Sequence, residues 1–564
     1  MPFADYIGAD SFTFQVADMT GESNIATVTL TVEDASAYTI PTGIPDPGFG
    51  IADEAPADPV EWPNSEAVGY YYLDNSGICS DTNVYGYPAS PRCTIPSAPI
   101  VTAGKKMVLK ASPNPYYTRA LTWHQFYLDG SSGNRAWLVG VNDGPNKPVI
   151  KANDLSPNTT IRMEGSHWTI DGIIFDDAIP SVRGDLGSES YVVIRHSEIR
   201  NDTGAVGSAT SMNNATQYGL YFDNHIHENG IIEEDLSVEH DVHGIQVSSV
   251  INLWVLDNIF HENAGDSVQI NGIDVHNIYI GRNKMHSEGE NAVDTKSFNT
   301  LIVSENDGWD FRLVTYGNSG GNSQIFYIND EGTQTGGWWA INNRAWDSGG
   351  PGITSAALTT DVHIVGNLIK WCSDGIQNFT HGGYTAYIYN NTIDQCRSSA
   401  LKVSVAGGPG AFTKFSGNYI GSGTWTNQII AIGGLTTDTG SFQEFDWNYF
   451  EQPVNLLWAN VSRNLQWMRD NTVWLKNAAE NVVPNFVSQN LFDYHLTGSS
   501  PLKNNHSNIF TSYTTFDLLF SRSIQTDRSG ILRPQNSAWD IGAYEYVESG
   551  DVTPPSAPVN LLVL

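Results

Sequence analysis

Four short segments of alternating apolar and polar residues, each ending in asparagine, recur through the middle of the chain. They are Asn252–Asn258 (NLWVLDN), Asn277–Asn283 (NIYIGRN), Val362–Asn367 (VHIVGN) and Ala386–Asn391 (AYIYNN). The closing asparagines stand 25 residues apart from Asn258 to Asn283 and 24 apart from Asn367 to Asn391. A fixed period of this length is a solenoid signature. The segments carry no helical pattern, so the expected unit is a coil of strands and turns. Stacked coils of that kind make an all-β, right-handed, single-stranded parallel β-helix.

A second template lies between the first: Asp266–Asn271 (DSVQIN), Asn291–Lys296 (NAVDTK) and Asp307–Arg312 (DGWDFR), with His243–Ser248 (HGIQVS) before it and Asp374–Phe379 (DGIQNF) after. In a parallel solenoid equivalent positions stack about 4.8 Å apart, and alternate residues face in and out. This register expects Val268, Val293 and Trp309 in the core, with Ile270, Thr295 and Phe311. It expects Gln269, Asp294 and Asp310 in one outward column and Asn271, Lys296 and Arg312 in the next. Two stacked carboxylates beside two stacked cations mark the candidate site.

The closing asparagines Asn258, Asn283, Asn367, Asn391, Asn418 and Asn448 read as structural, since their amides bond along a ladder and tolerate tight turns. His227, His261 and His286 each fall three residues after an asparagine of this template, Asn224, Asn258 and Asn283, and should also stack. A structural ladder is the favoured reading, with a transition-metal site as the alternative.

Net charge is −33, from 61 acidic and 28 basic residues. Such a surface repels nucleic acid and anionic membranes and suits calcium. An anionic substrate would need a local cationic groove, which Lys296 and Arg312 with Arg282 and Lys284 could supply. No apolar run is long enough to span a membrane. Cys79 and Cys93 bracket a short Pro-containing loop and are expected to be bonded; Cys372 and Cys396 should stack in adjacent coils, bonded or free.

Along the chain, residues 1–35 hold two alternating strands, similar to the end of a cadherin-like or immunoglobulin-like module that would continue upstream. Residues 36–63 read as a Pro-rich linker and 64–547 as the β-helix domain. Within that domain Tyr116, Tyr117, Trp123, His124 and Trp137 are expected to build an N-terminal cap, and the C-terminal part is less regular. Residues 548–564 are similar to the opening of a fibronectin type III module. Long insertions interrupt the coils, one of them at 313–350 with Gly336, Gly337, Trp338 and Trp339. Loops on one face of a solenoid border its binding site, so the paired tryptophans are a candidate sugar platform.

Three stretches carry a family resemblance: Gly265–Ile270 (GDSVQI), Gly289–Lys296 (GENAVDTK) and Asn306–Asp310 (NDGWD). They resemble β-helical polysaccharide lyases, most of all the family 9 pectate lyases, and the VDTKS piece is similar to the chondroitinase B and alginate lyase group. The resemblance implies a surface lysine as base and an acidic cluster holding calcium. Lys296 matches the lysine, and Asp294, Asp310 and Asp266 are the acidic candidates for Ca2+. The chain has Asn-Ala-Val-Asp where family 9 has Asn-Ala-Asp-Gly, so that cluster is not reproduced residue for residue.

β-Elimination asks for this composition. Removing the C5 proton of a uronate builds an enolate-like dianion, which a cation must neutralise while a base takes the proton. The catalytic candidates are Lys296, Arg312, Asp294 and His243. The substrate-binding candidates are Asn271, Arg282, Lys284, Glu290, Trp338 and Trp339. The expected partner is an acidic polysaccharide, with no nucleic acid or membrane insertion. The expected setting is a secreted or cell-surface monomer within a larger modular chain. Two other readings stand beside this one: a β-helical glycoside hydrolase using paired carboxylates, and a non-enzymatic adhesin in which Lys296 is a solvated lysine paired with Asp294.

Overall fold

The computed structural model of the protein describes residues 38–548, except 60–68, 120–122, 154–158, 184–188, 205, 214–215, 233–240, 273, 312–314, 317–318, 321–322, 329–333, 357–358, 380–382, 405–411, 425–427, 433–441, 459–460, 507–509 and 536–537. Before residue 38 it describes four short strands, of which Gly8–Phe14 and Ala26–Val32 pair antiparallel.

Among the described residues, three long sheets of 15, 14 and 13 strands run through the molecule, parallel except for the last strand of the first, Val461–Arg463, which pairs antiparallel. They close a right-handed, single-stranded parallel β-helix. The front sheet runs from Ile100–Thr102 to Val461–Arg463, the back sheet from Tyr71–Leu73 to Phe442–Asp446, and the side sheet from Tyr116–Tyr117 to Tyr449–Phe450. One coil shows the circuit: back strand Ile251–Leu256, side strand Ile259–His261, front strand Val268–Ile270, and the next back strand at His276–Gly281. Coils begin at Tyr71, so Tyr116, Tyr117, Trp123, His124 and Trp137 lie on strands of the first coils.

Two columns of corner residues fix the circuit. At the back-to-side corner Asp223, Asp257, Arg282, Glu305, Asn342 and Asn390 take left-handed dihedrals, with φ from 51° to 58°. The residue after each is a buried asparagine, and together Asn224, Asn258, Asn283, Asn306, Asn343, Asn367, Asn391, Asn418 and Asn448 form one ladder. Asn283 shows the bonding. Its Nδ2 donates to Asn306 Oδ1 (2.9 Å) and to the Val255 carbonyl (2.8 Å), and its Oδ1 accepts from the Asn258 amide (2.9 Å).

Five positions on, the side-to-front corner repeats the device. Glu228, Glu262, Ser287, Asp310, Asp347, Trp371 and Gln395 are left-handed, and Asn229, Asn263, Glu288, Phe311, Ser348, Cys372 and Cys396 follow them into the interior. The two cysteines are thus the apolar end of this column and are unbonded, whereas Cys79 and Cys93 form a disulfide.

These columns correct the expected register. DGWDFR does not stack on NAVDTK. Asn306 is a ladder asparagine, so Asp307 opens a side strand as Lys284 does after Asn283. Asp307–Phe311 accordingly pairs with Lys284–His286 and Arg344–Ser348, while Val293–Thr295 pairs with Phe326–Ile328. Val268, Ile270, Val293 and Phe311 are in the core as expected. Trp309 is not; it faces outward between His286 and Trp346, with ring centroids 4.4 and 4.9 Å away.

Outside the helix, one segment from before the coils and one from after them pack on the back sheet. The stretch expected to be a linker lies along it: the Trp254 indole donates to the Pro45 carbonyl (2.8 Å), and Arg195 donates to the carbonyls of Gly50, Ile51 and Asp53 (2.6–2.9 Å). From the other end comes a helix, Thr511–Phe520, whose Phe516 and Tyr513 join the same outer apolar cluster as Ile44 and Trp254. The two segments meet at Thr42. Its amide donates to Glu305 (3.0 Å), and its hydroxyl lies 3.3 Å from that of Thr526, whose carbonyl accepts from Asn342 (2.9 Å). C-terminal residues Tyr494 and Tyr544 also cover the side sheet around Leu368.

Candidate active site

With the back sheet roofed and part of the side sheet covered, the front sheet presents a long outward polar column. Following the strand pairing, it reads Ser211, Gln246, Gln269, Asp294, Tyr327, Thr354, Gln377 and Lys402. The column is recessed, since Gln269 and Asp294 face outward yet are only 6% exposed. The insertions between Asn229 and Asp241 and between Phe311 and Phe326 both enter at the corner beside this face, the placement of loops that border a solenoid's binding surface.

At its centre Gln269 Oε1 accepts from Gln246 Nε2 and Asn271 Nδ2, each at 2.8 Å. Lys296 follows Asn271 in the adjoining column; its amide donates to the Ile270 carbonyl (2.8 Å) and its Nζ lies 3.6 Å from Asp294 Oδ2. The lysine side chain is 27% exposed.

At the corner end His243 is 2% exposed. Its Nε2 lies 3.2 Å from Asp241 Oδ1, and its Nδ1 accepts from the Asp266 amide (3.0 Å), with Asp266 Oδ2 3.3 Å away. Burial pulls its pKa down. The hydrogen bond and charge of Asp266, with the charges of Asp241 and Asp294, outweigh burial and hold it above the ordinary value. One carboxylate oxygen each from Asp241 and Glu290 and a His243 nitrogen lie within 4.8 Å of one another. Asp266 is occupied by the fold: its Oδ1 accepts from the Asn291 amide (3.1 Å) and Nδ2 (2.9 Å). Behind it, burial pushes Glu288 up to about 8 while its oxygens accept from Asn263 and Ser267.

The structure therefore brings together Lys296, Asp294, Asn271, His243, Asp266 and Glu290. Other candidates stand elsewhere. Asp310 is a corner residue on the side sheet, with φ 58° and its Oδ2 accepting from Ser287 (2.7 Å). Arg282 is a back-to-side corner residue paired with Glu305 (3.2 Å), and Lys284 is on the side sheet. Trp338 and Trp339 are fully buried on a back strand, Gln334–Ile341, not on a loop. Trp338 faces the main core, and Trp339 stacks on His363 (3.6 Å) beneath Phe516 (4.8 Å). Neither can meet a sugar. Arg312 lies outside the described residues.

Sequence reasoning missed Asp241, Gln246 and Tyr327. Gln246 was findable, because HGIQVS places it where DSVQIN places Gln269. Asp241 shares a strand side with His243. Tyr327 becomes visible only once the insertion before Phe326 is skipped.

Calcium takes six or more oxygens. The donors converging here are two carboxylates and an imidazole whose Nε2 already faces Asp241, Asp266 is committed to Asn291, and Asp310 is on another sheet. These residues do not fit a calcium cage, and no step below is routed through calcium.

On the side sheet the expected histidine ladder is present. His227, His261 and His286 stack at 4.8 and 5.1 Å. Burial, then the neighbouring imidazoles, push His225 and His286 down to about 4.

No protein-family model matches the chain, and no curated protein matches it. Among solved structures it is similar to the pectate lyase Pel9A, at 13% identity and TM-score 0.37 over 85% of this chain and 97% of that one. It is similar to the catalytic unit of a GH87 α-1,3-glucanase from Streptomyces thermodiastaticus strain HF3-3, at 11% and 0.39 over 62% and 63%. A mannuronic acid-specific family 6 polysaccharide lyase from human gut microbiota matches at 13% and 0.34 over 62% and 81%. These are likenesses of chain path, and the fold itself rests on the strand pairing described above.

Proposed function

We propose that the front sheet binds a polysaccharide and that the protein is a secreted or cell-surface lyase. It would cleave a uronate-containing glycan by β-elimination with Lys296 as the base. The observation that carries this reading is Lys296 itself, a partly exposed amine beside Asp294, next to a recessed column whose other members are amides, hydroxyls, a phenol and, at its far end, Lys402. The neutral amine takes the C5 proton, the C5–H electron pair becomes the C4–C5 double bond, and the bond from C4 to the glycosidic oxygen breaks. The leaving oxygen takes a proton from Tyr327, one strand beyond Asp294. Gln269 and Asn271 bond sugar hydroxyls, and His243, set between Asp241 and Asp266, braces the corner end of the column. The Cys79–Cys93 bond fits an oxidising compartment.

A second reading has one observation in its favour. The Asp241 and Glu290 oxygens, within 4.8 Å, approach the roughly 5–5.5 Å carboxyl separation of retaining glycosidases. Incubation with a panel of uronate polymers, read by the ultraviolet absorbance of the unsaturated product, decides between them. Elimination predicts the absorbance in wild type and its loss in Lys296→Ala. Cleavage without an unsaturated end would assign the chemistry to Asp241 and Glu290. Binding with no cleavage of any polymer would make the molecule an adhesin.

A further inference from the structure

The side sheet carries a histidine cluster that the front column does not use. His225 and His227 flank Ile226 on one three-residue strand, and His261 follows His227 one coil on. His225 Nε2 and His261 Nε2 are 2.7 Å apart, and one ring nitrogen from each of the three imidazoles lies within 4.8 Å of the others. Two of the rings are held from behind. His227 Nδ1 is 2.9 Å from Glu228 Oε2, and His261 Nδ1 is 3.0 Å from Glu262 Oε2. Glu228 and Glu262 are corner residues at φ 55° and 56°, so the turn itself folds each carboxylate back onto the imidazole before it. A carboxylate that accepts the Nδ1 proton fixes the tautomer and leaves Nε2 as a lone pair, the arrangement that supports metal-ligating histidines. Across from them, Glu198 Oε1 lies 3.3 Å from His227 Nε2.

We propose that His225, His227 and His261, closed by Glu198, bind one transition-metal ion of the zinc class. Three imidazoles and a carboxylate make a tetrahedral set for such an ion. With Zn–N distances of about 2.0–2.1 Å, two ligating nitrogens stand roughly 3.3 Å apart, so His225 and His261 must separate slightly. Arg200 pairs with Glu198 and also reaches Asp176 (3.3 Å), so it retains a partner when Glu198 turns to the ion. The site spans three successive coils, those of Glu198, of His225 and His227, and of His261. It lies on a different sheet from Lys296, which makes the ion a staple of the solenoid and not part of the chemistry. His286, next in the ladder, has Ser287 and no carboxylate at its Nδ1 (3.2 Å) and stands outside the set.

The test uses tag-free protein stripped with EDTA and titrated with zinc chloride in a calorimeter. One ion per chain should bind and raise the thermal transition, and cobalt chloride should give the intense visible bands of a tetrahedral site. His225→Gln and His261→Gln should abolish both signals, Glu262→Gln should weaken binding about tenfold, and His286→Gln should leave binding unchanged. Absence of stoichiometric uptake, or uptake that survives His225→Gln, overturns the proposal. Where a variant fails to fold by circular dichroism, the wild-type cobalt spectrum decides: tetrahedral bands support the site, and the pale spectrum of an octahedral ion overturns it.

Discussion

Lys296 and Glu288 show two ways a single charged residue is used on adjoining sides of one coil. Lys296 faces outward, off the core cluster, with its side chain 27% exposed. Lys296→Ala should therefore leave the unfolding free energy within about 0.5 kcal/mol of wild type, yet cost at least ~10²-fold in turnover on the polymer that wild type cleaves. Because the neutral amine is the working form, kcat/KM should climb with pH on the alkaline side, and a profile flat there would remove Lys296 as base. Glu288 is interior, its carboxyl raised by burial from 4.5 to about 8. Between those values the unfolded chain has released this proton and the folded chain still holds it, so stability falls as pH rises through the window. Glu288→Gln removes that titration. Melting temperatures of the two proteins should diverge across the window, with wild type losing ground as pH increases; parallel curves would contradict the assignment.

At the scale of strands and corners, the asparagine ladder is the main specifying device. Asn283→Ala leaves the Val255 carbonyl, the Asn258 amide and the side chains of Asn258 and Asn306 short of partners inside the fold. An unsatisfied buried polar group costs about 1–3 kcal/mol, so a loss of roughly 3 kcal/mol or more is expected, read from chemical denaturation beside the exposed control Lys476→Ala. The ladder's period was legible because asparagine repeats at the corner where it is needed. The register of DGWDFR was not, because Asp-x-apolar alternation looks alike on side and front strands. Asn306, the residue that tells them apart, precedes a coil lengthened by an insertion. The tryptophan pair misled for a related reason. Glycines before Trp338 suggest a loop, yet Gly336 and Gly337, at φ 73° and 88°, kink a strand that continues to Ile341. Trp339→Ala should loosen the docking of the 511–520 helix, costing about 3–5 kcal/mol, and leave glycan affinity unchanged in any folded sample. A selective loss of glycan binding would restore the platform reading.

For the molecule as a whole, position along the solenoid organises everything else. The candidate site was legible where it sits within repeated coils, at Asp266, Asn271, Asp294 and Lys296. It was obscure where long insertions separate one front strand from the next, as at Tyr327. The covering of the back sheet could not be foreseen from repeats, since residues 38–58 are not themselves repetitive and read as a spacer. That covering has a mechanical consequence. Thr42 and Thr526 meet over Glu305 and Asn342, midway along the stack. The two covering segments are thereby tied to each other as well as to the back sheet, so loosening either one at this point loosens the other. From there they reach coils near both extremities, with Lys106 donating to the Pro56 carbonyl and the Tyr449 hydroxyl to Asn505, so one strap braces most of the length of the stack.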